Sequence, residues 1–90
     1  MTASKNTVEC VQNFIIEFAS RKFSEDEIQA WAMFNLPKYS KDTFYFFHKT
    51  LKQFYYSNGS SLLINPERIN DTWKNNPDFL KKINEKVKVK

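Results

Sequence analysis

Ninety residues with one Gly, one Cys, one His and fifteen aromatics, nine of them Phe, leave room for a single domain (core 7–84, basic tail 85–90) whose small core must be filled by large rings. One Gly excludes the P-loop and the dinucleotide fingerprint, which need at least two. One Cys and one His exclude an internal disulfide and the usual zinc ligand sets.

The formal charge of +4 is uneven: residues 1–36 hold three basic groups against five acidic ones, the remainder eleven against five. A basic C-terminal part favours a polyanionic partner, most simply a nucleic acid backbone. No apolar run approaches the ~18 residues of a membrane span, and the N-terminus lacks a signal-peptide core. The chain is therefore expected to be cytoplasmic and away from membranes, and no cofactor or metal is expected.

The first helix is expected from Thr7, its N-cap, to Arg21, because Val8, Val11, Ile15 and Phe18 recur on one face, widened by Cys10 and Phe14. Cys10 reads as a small core residue, having no neighbouring cation in sequence to stabilise a thiolate. Ser24-Glu25-Asp26-Glu27 is a capping-box pattern that opens a second helix, Ser24 to about Phe34. Its apolar set is Ile28, Trp31, Ala32 and Phe34, with Phe23 stapled before the cap and Pro37 beyond the end.

Ser40 caps a third helix running to about Phe54. Phe44, Phe47, Leu51 and Phe54 make its inner stripe. Lys41, Tyr45, His48, Lys49 and Lys52 then fall outside, with His48 at the border as a partly buried structural residue. Asn58-Gly59 between Tyr55-Tyr56-Ser57 and Ser60 to Ile64 predicts a hairpin with both turn residues at positive φ. Asn65-Pro66-Glu67 and Asn76-Pro77-Asp78 each combine a capping Asn with Pro at the first helical position, opening two short helices. Lys86 to Lys90 is expected to fray. The fold class that results is mainly α with a short β-hairpin.

The order of helix, capped helix, short turn, helix with a basic-aromatic outer face, and Asn-Gly hairpin resembles the winged helix-turn-helix family of DNA-binding domains over residues 7–64. The resemblance implies that Ser24 to Phe34 supports a recognition helix, Ser40 to Phe54, with Tyr55 to Ile64 as the wing. It also implies double-stranded DNA as the partner. The implied contacts are Lys38, Ser40, Lys41, Thr43, Tyr45, Lys49 and Lys52, with Ser57, Asn58 and Ser60 at the wing tip. Lys and Ser/Thr can bond phosphates or base edges. The chain differs from the family pattern in a longer turn without Gly, no Arg or Lys at the wing tip and no Arg on the recognition helix.

A second reading is a protein-interaction or inhibitor module. Eight of the fifteen aromatics lie between Tyr39 and Tyr56, more than one helix can bury against a small core. Phe46 falls off both the inner stripe and the Lys face, so Phe46 with Tyr39, Tyr55 and Tyr56 marks an expected partner or homodimer surface. Under either reading the small size and the Lys, Asn, Ile and Phe bias suit a phage or mobile-element protein, and a transcriptional or replication regulator under the first. An enzyme is not expected, because the acids Glu25, Asp26 and Glu27 are explained by capping and no nucleophile has a companion base at a recognisable spacing.

Overall fold

In the computed structural model, residues 5–88 are described, with side chains from Thr7 to Lys86. They form α1 (Lys5–Phe18), α2 (Glu25–Asn35), α3 (Lys41–Leu51), a 3-10 turn (Lys52–Phe54), β1 (Tyr55–Asn58), β2 (Ser61–Ile64), α4 (Pro66–Thr72) and α5 (Pro77–Lys88). The protein is mainly helical with one two-stranded antiparallel hairpin. None of the described helices is long and apolar enough to cross a membrane.

The centre of the core is α1, which buries Cys10, Val11, Phe14, Ile15 and Phe18. Phe14 is the hub: its ring packs against Phe18, Phe23, Trp31 and Phe47 at centroid distances of 4.3 to 6.1 Å. Burying rings of this size stabilises by ~1.5–3 kcal/mol each, which is how so short a chain holds three helices together. Two expectations for α1 are corrected. Thr7 lies inside the helix rather than capping it, and the helix ends at Phe18. Arg21 therefore leaves the helix end; its guanidinium sits 4.3 Å above the Phe18 ring and 2.9 Å from the Glu27 carboxylate.

α2 starts at the expected cap, with the Glu27 N–H donating to Ser24 Oγ at 3.2 Å. The Glu27 carboxylate turns to Arg21. Leu36 is extended before Pro37, as a pre-proline residue should be. Ile28 and Ala32 are buried, whereas Phe34 is 89% exposed, a correction to its expected place in the core. Two residues past Ala32 is about 200° round an α-helix, which puts Phe34 on the far side.

α3 opens on a full capping box. The Thr43 N–H donates to Ser40 Oγ at 3.1 Å and the Ser40 N–H donates to Thr43 Oγ1 at 2.8 Å. Phe47, Leu51 and Phe54 are buried, and Phe44 packs at the core's edge.

The hairpin differs from expectation in its turn. Tyr55 pairs with Ile64, Tyr56 with Leu63, Ser57 with Leu62 and Asn58 with Ser61, so the two loop residues are Gly59 and Ser60. Asn58 stays in the strand, and Gly59, at φ +69°, is the one described residue with positive φ. A positive φ at the first loop position alone matches the type II′ pattern, which needs Gly only there. Phe23, between α1 and α2, forms a two-bond bridge to Leu62: Phe23 N–H to the Leu62 carbonyl at 3.0 Å and Leu62 N–H to the Phe23 carbonyl at 2.8 Å. One residue thereby ties the entry to α2 onto β2.

Asn65 and Asn76 cap α4 and α5 as expected, accepting from the Glu67 and Phe79 N–H groups at 3.1 and 3.2 Å. Phe79 and Ile83 of α5 bury against the core, with Ile69 of α4. The expected fraying after Lys86 is not seen as far as Lys88, which is still helical; residues 89 and 90 lie outside the described part.

Candidate nucleic-acid interface

The inner stripe of α3 fixes which way its other side faces. With Phe47 and Leu51 fully buried, Lys41, Tyr45, Lys49 and then Lys52 of the 3-10 turn project outward and are exposed. Among the described residues the single ion pair is Arg21 with Glu27. None of these lysines is therefore neutralised by a carboxylate in contact with it. The Lys49 Nζ lies 5.9 Å from the Tyr45 ring centre, within reach of a cation–π contact.

At the centre of this ridge is His48. Its ring lies nearly parallel to Phe44, 5.5 Å away, and its Nε2 is 2.8 Å from the Tyr55 hydroxyl on β1. Partial burial, and secondarily the charge of Lys52, push its pKa below the ordinary 6.5, against a smaller upward pull from Glu25. Burial first, then Glu25, raises that of Tyr55. Both groups are thus held neutral at physiological pH, where the Tyr55 O–H can donate to Nε2. Tyr45, His48, Lys49 and Lys52 together line a recess of about 270 Å³.

The other expected contacts divide. Lys38 is exposed, and its carbonyl accepts from the Thr43 hydroxyl at 2.9 Å. Ser40 and Thr43 are engaged in the cap, so their hydroxyls serve the turn before α3 first. At the hairpin tip Ser57, Asn58 and Ser60 are exposed. A second groove, about 370 Å³, lies between this tip and the start of α2, and Glu25 and Asp26 line it beside Ser57 and Ser60. The sequence explained those acids by capping alone; only the fold brings them to the hairpin.

The four residues of the expected aromatic surface differ in exposure. Tyr55 is half-buried, packed edge-on against Phe23 at 5.7 Å and bonded to His48. Phe46 is also half-buried, its ring edge-on to Tyr45 at 5.5 Å. Tyr56 and Tyr39 are exposed, with the Gln29 amide 3.5 Å from the Tyr39 hydroxyl. Outside the tyrosines, the exposed large apolar side chains are Phe34 and Met33, the latter at 57%. A helical wheel of α2 would have flagged Phe34.

Cys10 is buried, and burial followed by the Glu9 charge raises its thiol pKa, which fits a packing role. No group of three His, Cys, Asp or Glu among the described residues could hold a metal ion. Compared with family models, curated proteins and solved structures, the chain has no match.

Proposed function

We propose that this chain is a small DNA-binding protein of winged helix-turn-helix type that regulates transcription or replication. The observation that carries the reading is the outward ridge of α3 and the 3-10 turn after it: Lys41, Lys49 and Lys52 are exposed and, among the described residues, have no carboxylate in contact, while the inner face of α3 is locked into the core. Unpaired cations on a rigid surface suit a phosphate backbone, because binding releases counterions without first breaking ion pairs. The Phe23–Leu62 bridge adds support, since it fixes the hairpin against the start of α2 beside that helix. With Lys and Tyr but no Arg on the ridge, backbone contact outweighs base reading. Titrating generic duplex DNA at rising salt tests this. Binding at low salt that weakens steeply as salt rises is expected, and no binding at low salt would contradict it.

A second reading, binding of a partner protein, rests on Phe34 and Met33 at the end of α2. A light-scattering mass above that of the monomer, restored to monomer by Phe34→Ser, would favour it in the form of self-association.

A further inference from the structure

The recess formed by Tyr45, His48, Lys49 and Lys52 has properties that a plain solvated lysine face lacks. The four side chains follow one another at positions i, i+3, i+4 and i+7 along a single ridge. Lys49 and Lys52, three residues apart, are like charges at helical-neighbour spacing, a mildly destabilising arrangement that a bound anion would relieve. Among the described residues no carboxylate contacts either of them. His48, the single histidine of the chain, forms part of the wall. Its ring is held in place by the Phe44 face and by the Tyr55 hydroxyl at 2.8 Å. The Nδ1 atom has no hydrogen-bond partner among the described residues.

We infer that this recess is a seat for one tetrahedral oxyanion, a backbone phosphate when DNA is bound, and that His48 takes up a proton as the oxyanion enters. Lys49 and Lys52 supply fixed positive charge, and the Tyr45 hydroxyl can donate a hydrogen bond. His48 changes from neutral wall to cation, its proton coming from solvent. The identity of the oxyanion rests on the DNA reading; the seat itself does not.

The charged and titratable groups around His48 are Tyr45 and Lys49 of its own helix, which share the recess wall, Lys52 beyond the end of that helix, Glu25 of α2 and Tyr55 of β1. In the free protein, burial and Lys52 outweigh Glu25 and keep the imidazole neutral. An oxyanion between the two lysines reverses the balance, since it offsets the Lys52 charge and adds a negative neighbour. Binding and protonation then assist one another. Affinity for the oxyanion rises as pH falls, by roughly tenfold for each unit by which the bound state raises the His48 pKa.

Because there is one histidine, the titration of its ring protons by NMR reads the seat directly. The first arm compares sulfate, a tetrahedral dianion that does not itself titrate in this range, with chloride at matched ionic strength. Sulfate is expected to raise the His48 midpoint in the native protein and to leave it unmoved in the Lys49→Ala, Lys52→Ala variant. An equal midpoint in both salts, or a sulfate shift that survives loss of both lysines, would overturn the seat. The second arm adds a short duplex. A raised midpoint supports the backbone phosphate as occupant, while duplex binding that leaves the midpoint unmoved would overturn the backbone phosphate as the occupant of the seat and leave the DNA reading standing. A sulfate shift with no duplex binding at all would support the seat and contradict the DNA reading. His48→Gln, which keeps a hydrogen-bonding group opposite Tyr55, is expected to bind duplex with affinity independent of pH between mildly acidic and neutral conditions.

Discussion

The outward ridge of α3 and the groove between α2 and the hairpin meet at His48 and Tyr55, where the charge of Glu25 is felt, yet they carry opposite electrostatics. The ridge has three exposed lysines with no carboxylate in contact among the described residues. The groove has Glu25 and Asp26 facing a hairpin tip made of Ser, Asn and Gly. The acids are there because α2 begins there: negative charge in the first turn favours the helix dipole by ~0.3–1 kcal/mol each. A requirement of α2 itself thus makes the hairpin side unattractive to a polyanion, and any phosphate contact should be concentrated on the ridge. If a nucleic acid is bound, it is gripped by one helix far more than by the hairpin.

The largest change would come from removing the support beneath the ridge. Phe47 is fully buried and touches both Phe14 and Trp31, so Phe47→Ala should cost ~3–5 kcal/mol in a urea titration. Next in size is loss of the ridge cations. Replacing Lys41, Lys49 and Lys52 together by Ala should flatten the dependence of log affinity for duplex on log salt by up to about three units, with thermal stability nearly unchanged.

On the hairpin side, Gly59→Ala meets no neighbouring atom within 4 Å. Its cost is the positive φ alone, ~1–3 kcal/mol, and duplex affinity at temperatures where the protein is folded should not move. Neutralising the groove with Glu25→Gln and Asp26→Asn should act in the opposite sense to the lysine changes. Affinity for duplex should rise a few-fold, while the melting temperature falls slightly because the first turn of α2 loses its favourable charges.

The smallest expected effect is one of pH on stability. His48 has its pKa lowered on folding from the ordinary 6.5, so the unfolded chain binds the proton more readily. Stability should therefore be full above pH 6.5 and decline as pH falls from there to the folded-state pKa. His48→Gln should remove that part of the decline.

Much of this arrangement is legible in the sequence. The caps at Ser24, Ser40, Asn65 and Asn76 are local devices, needing only a side-chain oxygen near a free N–H, and all four lie where the sequence places them. The inner stripe of α3 followed from its spacing. What escaped depends on tertiary context or on rotation around a helix. Phe34 is apolar but stands on the wrong side of α2, and composition alone placed it in the core. The Asn58-Gly59 pair read as a two-residue turn, but strand pairing carries Asn58 into β1 and leaves positive φ to Gly59. The excess of aromatics between Tyr39 and Tyr56 marks Tyr55 for the partner surface, whereas the hairpin sets it at the core's edge, bonded to His48. The nearness of Glu25 and Asp26 to the hairpin joins segments more than thirty residues apart, and no local pattern encodes it.

The most direct test of the contrast between ridge and groove is a map of backbone amide shifts as a short duplex is added at low salt. Movement concentrated from Lys41 to Lys52, with little at Glu25, Asp26 and Ser57 to Ser60, is the expected result. Movement centred on the hairpin and the start of α2, on Met33 and Phe34, or nowhere, would contradict the account.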